Sequence, residues 1–162
     1  MKGSLSHEFK SGLPAAEVWE VYGGLLLAQL IPQLLPDVFP KAEVVVGDGG
    51  VGTVLRLTFP PETLRYQKEK FIKVDNENFV NEALVIEGGF LDLGFLKYLV
   101  RVELVDDADK TCTIRSTVEY EVDDEHTGNA SFVTTSTFAR IAEAITKYIK
   151  VQKGDEKAPE QT

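Results

Sequence analysis

A carboxyl group among apolar side chains is the arrangement in this chain most able to do chemistry. Glu69 lies in the run Tyr66-Gln67-Lys68-Glu69-Lys70-Phe71, whose composition suits a β-strand. Side chains alternate between the two faces of a strand, so Gln67, Glu69 and Phe71 share one side. If that side faces the interior, loss of water raises the Glu69 pKa toward neutrality, where a carboxylate serves as a general base. Tyr66 falls on the opposite face of a regular strand. Gln67 and Asn81 can orient a ligand through hydrogen bonds but cannot carry its proton.

Other reactive residue types read as structural. His7 is in phase with Leu5 and Phe9, which predicts a hydrogen-bonded core histidine, and His126 is expected at the surface ahead of the last helix. Cys112 shares a strand face with Ile114, Val118 and Tyr120, the setting of an inert buried thiol. These two His and one Cys lack metal-ligand spacing, so neither a metal nor another cofactor is expected. The glycines of Gly47–Gly52 invite a phosphate-loop reading, but they lack the Gly-Lys-Ser/Thr ending and lie between two strands, as in a tight hairpin.

The elements that must position Glu69 are legible from periodicity. Phe138, Ile141, Ile145 and Tyr148 form an apolar stripe on a helix spanning about Asn129–Gln152. Arg140, Glu143, Lys147 and Lys150 fall on its other side, with Glu143 four residues ahead of Lys147 in the favourable ion-pair order. Leu5, His7 and Phe9 mark a first strand. Pro14 opens a short helix, in its first turn, that Gly23 and Gly24 stop. Leu25–Leu35 reads as a second short helix broken at Pro32 or Pro36. Further strands are expected at Lys41–Val46, Thr53–Phe59, Tyr66–Val74, Phe79–Glu87, Phe95–Val105 and Thr111–Val122, with turns at Asp75-Asn76, Gly88-Gly89 and Asp106–Lys110. The fold class is therefore α+β: a seven-stranded curved antiparallel sheet closing over one long C-terminal helix, with two short helices at one end and an internal cavity.

Composition narrows the function classes. With 162 residues, 43% of them hydrophobic, the chain is expected to form one domain over residues 1–152, followed by a flexible tail over 153–162. Net charge is −9, from 26 acidic against 17 basic residues, with no cationic cluster to neutralise phosphates, so nucleic acid is not an expected partner. The most apolar region, Val21–Phe39, is interrupted by Gly23, Gly24, Pro32 and Pro36, which argues against a membrane span. The N-terminus has no apolar signal-peptide core and a single Cys forms no internal disulfide, so a cytoplasmic setting is expected.

Two stretches carry a resemblance. They are Gly47-Asp48-Gly49-Gly50-Val51-Gly52-Thr53 after a strand, and Val85-Ile86-Glu87-Gly88-Gly89-Phe90-Leu91-Asp92-Leu93-Gly94, set in the order strand, two helices, six strands, helix. The chain resembles the plant class-ten pathogenesis-related proteins, the birch-pollen-allergen superfamily with its helix-grip fold, over nearly all of residues 4–152. Around Lys68-Glu69-Lys70-Phe71 and Ile86-Glu87-Gly88-Gly89 it looks most like the norcoclaurine-synthase and norbelladine-synthase branch. The resemblance implies a plant protein that binds aromatic or apolar metabolites in an internal cavity, with defence or alkaloid biosynthesis as its setting. The alternative it implies is an enzyme condensing an aromatic amine with an aldehyde. It also carries the synthases' general base onto Glu69, while their Tyr, Lys and Asp positions fall on Gln67, Asn81 and Val100. Ser11-Gly12-Leu13-Pro14-Ala15 spells the gate motif of the abscisic acid receptors, but it precedes the first helix rather than joining the third and fourth strands, and is read as coincidence.

Strand parity and the helix stripe predict that Leu55, Leu57, Phe59, Gln67, Phe71, Phe90, Tyr98, Val100, Phe138 and Ile141 line the ligand site, and the resemblance adds Asn81. Glu69 and, with an inward bulge, Tyr66 are the candidate catalytic residues. The expected partner is a small aromatic or apolar metabolite, bound by a monomer or weak dimer.

Overall fold

The computed structural model describes residues 1–154. The chain runs through β1 (Lys2–Lys10), α1 (Ala15–Tyr22), α2 (Leu26–Leu34), β2 (Lys41–Val46), β3 (Val54–Thr58), β4 (Tyr66–Asp75), β5 (Val80–Gly88), β6 (Phe95–Asp106), β7 (Cys112–Val122) and α3 (Ser136–Gly154). Two 3₁₀ turns, Gly89–Leu93 and Thr127–Phe132, precede β6 and α3. All seven strands pair antiparallel in the order β1-β7-β6-β5-β4-β3-β2. The curved sheet grips α3 without closing: β1 and β2 remain unpaired edges.

Several boundaries depart from the sequence expectation. The last helix begins at Ser136 rather than near Asn129, because Val133 is drawn into a buried cluster and interrupts the backbone before the helix starts. At its other end Lys153 and Gly154 are still helical, and Lys153 reaches Glu17 at 2.9 Å; the rest of the expected tail, 155–162, lies outside the described residues. Pro14 stands just outside α1, its carbonyl accepting from the N–H groups of Glu17 and Val18. Helix α2 passes through Pro32 unbroken and ends at Leu34, with Leu35 as its C-cap, immediately before Pro36, the second of the two expected break points. A proline interrupts helical hydrogen bonding only through its own missing N–H and its clash with the preceding turn, and burial of Ala28, Leu30 and Ile31 offsets that cost here.

Two β-bulges set which residues face inward. Between β4 and β5 the register shifts at Lys68/Glu69 and again at Phe71/Lys73. The second leaves Ile72 and Lys73 both exposed, so that Val74 returns to the interior as Phe71 does. The core forms two clusters. One joins α1, α2 and α3 to the sheet through residues such as Val18, Trp19, Ile31, Ile114 and Ile145. The other gathers Val85, Phe95, Tyr98, Val118, Val122 and Val133 near the 3₁₀ turns. Among the described residues no helix is long and apolar enough to cross a membrane.

Candidate functional site

A cavity of about 250 Å³ occupies the seam between the two core clusters. One cluster contributes Tyr22, Ile31, Leu57, Val102 and Ile141 to its wall; Phe90, Tyr98, Val100 and Phe138 come from the other side. Leu55, Leu57, Phe59, Gln67, Phe71, Asn81, Phe90, Tyr98, Val100, Phe138 and Ile141 all border this space, as does Glu69. The alternation along β3 and β4 is responsible: Leu57 sits opposite Gln67 and Leu55 opposite Glu69 in the ladder, so all four point the same way.

Glu69 is held at 2.6 Å by the Gln67 amide, whose Nε2 donates to Oε2. Burial pushes its carboxyl up to about 7, partly opposed by that hydrogen bond. Gln67 is itself buried, and its side chain fills the space where a Cβ on Gly89 would sit; Gly89 has φ +56°. The Gln67 Oε1 has no hydrogen-bond partner. No Lys, Arg or His among the described residues borders the cavity. Glu82 touches it, but its carboxylate turns to the outer face and pairs with Arg101 at 2.7 Å. Glu69 is therefore an acidic group without a cation in a chamber of mostly apolar lining.

The remaining polar groups supply hydrogen bonds. Tyr98 stacks on Phe90, with ring centroids 4.2 Å apart and planes 8° from parallel. Burial, reinforced by the Glu69 charge, holds its phenol far above the usual tyrosine pKa, so it is a neutral donor. Asn81 donates from Nδ2 to the Tyr22 carbonyl at 2.8 Å, bracing the C-terminal end of α1. The Tyr22 hydroxyl is buried without a partner.

Tyr66 is on the outer face. Its ladder with β3 is regular, Thr58 opposite Tyr66, so the inward swing considered above does not occur. Its hydroxyl donates to Glu87 Oε2 at 2.6 Å and Arg56 lies over its ring. His7 also departs from expectation: its Nδ1 is buried and unpartnered rather than hydrogen-bonded. His126 is exposed at 2.6 Å from Asp123, and buried Cys112 packs against Ser11.

The structure adds wall residues that parity along the strands did not reach. Tyr22, Leu27, Ile31 and Phe39 arrive from α1, α2 and the following loop; Phe132 and Thr134 come from the approach to α3 and Thr137 from its first turn. Leu27 and Ile31 belong to the apolar run Leu25–Leu35, but apolar character does not say which helix face meets the cavity.

Residues 1–152 match the pathogenesis-related protein Bet v 1 family. The chain is 50% identical over 157 residues to a norbelladine synthase of Narcissus pseudonarcissus, covering 96% of each. It is 39% identical to an S-norcoclaurine synthase of Thalictrum flavum subsp. glaucum, covering 96% of this chain and 75% of that protein. The X-ray structure of norcoclaurine synthase from Thalictrum flavum in complex with dopamine and hydroxybenzaldehyde superposes with a TM-score of 0.83. That match has 39% identity and covers 92% of this chain and 87% of the other. A point mutant of the same enzyme bound to a transition-state analogue gives a TM-score of 0.86, over 94% of this chain and 97% of that one. With the strand order, the gripped C-terminal helix and the cavity between them, these likenesses place the chain in the pathogenesis-related protein Bet v 1 family.

Proposed function

We propose that this chain condenses an aromatic amine with an aldehyde to an imine inside the cavity, with Glu69 moving the proton. One observation carries the reading: a single carboxyl with a pKa near neutrality, in a chamber to which the described residues bring no cation. An ammonium group on the ligand supplies the missing charge. The ionised carboxylate takes one proton from the ammonium, freeing the lone pair with which the nitrogen attacks the carbonyl carbon and forms the C–N bond; a second N–H proton passes to the alkoxide so formed, giving the carbinolamine. The protonated carboxyl then returns the first proton to the carbinolamine hydroxyl, the C–O bond breaks as water leaves, and the resulting iminium loses its remaining N–H proton to solvent to give the imine. A group that titrates near the working pH serves both steps. The phenol of Tyr98, a cavity-lining group that stays neutral, hydrogen-bonds the carbonyl oxygen in this reading. The relatives named as norbelladine and S-norcoclaurine synthases support this chemistry.

Gln67, Asn81 and Val100 stand where the resemblance places Tyr, Lys and Asp, so a second proton carrier is missing. Ring closure after the imine needs one, and the expected product is the open imine. The same substitutions favour a second reading, in which the cavity only binds aromatic metabolites. We further propose that residues 1–152 act as one domain, cytoplasmic and monomeric or weakly dimeric; the single, buried Cys112 fits a reducing compartment.

The test is incubation with tyramine or dopamine and hydroxybenzaldehyde, trapping the imine by borohydride reduction. The expected result is a rate above buffer that falls about 10²–10⁴-fold in Glu69→Gln and is unchanged in Tyr66→Phe, which alters only the outer face. Ligand binding with no rate above buffer leaves the binding reading.

A further inference from the structure

We infer that Phe132 forms an outer aromatic subsite at the mouth of the cavity, where the second ring of a two-ring ligand stacks; this rests on the aromatic-ligand reading above. Three observations converge on it. First, the enclosed volume of about 250 Å³ is below the roughly 300–1,000 Å³ of pockets that bury a drug-sized ligand. A cavity below that range leaves little room for a second ring, which is therefore assigned to where the cavity opens. Second, the opening is identified by exposure. Of the residues lining the cavity, only Phe132 and Thr134 are exposed, so the wall meets solvent on the segment between the second 3₁₀ turn and α3. Third, Phe132 is 58% exposed and is the only aromatic among the exposed large apolar side chains of the described residues. The rings of Phe39, Phe59, Phe90, Phe95 and Tyr98 pack in pairs, whereas Phe132 joins no such pair.

Phe132 is held there by its neighbours. Val133 is 5% exposed and anchored in the cluster with Val85, Phe95 and Tyr98. Asn129 donates from Nδ2 to the Leu93 carbonyl at 2.8 Å, fastening the 3₁₀ turn to the loop ahead of β6. Burial of Val133 thus sends Phe132 to the rim. An exposed ring on a fixed backbone loses little freedom when a second ring stacks on it, which makes it a suitable anchor.

The test compares two probes by calorimetry: 2-phenylethylamine, with one ring, and N-benzyl-2-phenylethylamine, with two. The native chain is expected to bind the two-ring amine more tightly. Phe132→Ala should weaken that binding about 2- to 10-fold, because an aromatic pair is worth roughly 0.5–1.5 kcal/mol and 1.4 kcal/mol is tenfold. The one-ring amine should be unaffected, and Phe132→Tyr, which keeps the ring, should bind both as the native chain does. The subsite is overturned if the native chain binds both amines equally, or if Phe132→Ala weakens both alike or neither. Binding of neither amine by the native chain would overturn the aromatic-amine reading itself, and the subsite with it.

Discussion

Gln67 and Glu69, two residues apart on one face of β4, are joined by a 2.6 Å hydrogen bond from amide to carboxylate. The bond favours the ionised form of Glu69, whereas the surrounding apolar wall favours the neutral form, and burial is the larger effect. Their balance sets where the candidate base titrates.

Replacing Gln67 with Leu removes the favourable partner and leaves the wall in place. The Glu69 carboxyl should then titrate above its present value of about 7. The acidic limb of the kcat/KM profile for imine formation, which reports the free protein's base, should move to higher pH with it. An unmoved limb would show that Gln67 does not tune Glu69.

Glu69 should also leave a signature in stability. Its carboxyl pKa in the fold is about 7 against an ordinary value of 4.5, so between those values the folded chain binds more protons than the unfolded one. Stability contributed by this group therefore falls as pH rises through that window, and the full cost persists above it. Glu69→Gln should be more stable than the native chain at pH 8, by on the order of 2–3 kcal/mol, with the gap closing toward pH 4. Denaturant titrations at pH 4, 6 and 8 measure it. A gap that does not change with pH would mean Glu69 titrates as an exposed carboxyl does.

Asn81 is expected to act through α1. Its amide bond to the Tyr22 carbonyl is partly buried, so Asn81→Ala should cost about 0.5–1.5 kcal/mol and lower Tm by roughly 1–6 °C. Calorimetric melting checks this. A Tm equal to that of the native chain would show that water replaces the amide at no cost.

Much of the sheet side of the wall was legible in the residues because strand parity is local. A side chain's face follows from its neighbours two positions away, so Leu55, Leu57, Gln67, Glu69 and Phe71 could be assigned together, and the stripe through Ile141 and Ile145 identified the gripped helix. The same rule places Tyr66 outside, because the ladder with β3 is regular. What sequence did not determine depends on contacts between distant segments. Pro32 did not break α2, since burial of its neighbours outweighs one lost hydrogen bond. The bulges at Lys68/Glu69 and Phe71/Lys73 arise from how β5 pairs with β4. The absence, among the described residues, of any cation around Glu69 is a property of the whole wall, whose members come from strands, helices and loops far apart in the chain. Phe132 lies beside Val133, which is buried in a cluster with residues of β5, β6 and β7. Local periodicity tells a side chain which way to point, whereas the volume it meets there is set by everything packed opposite.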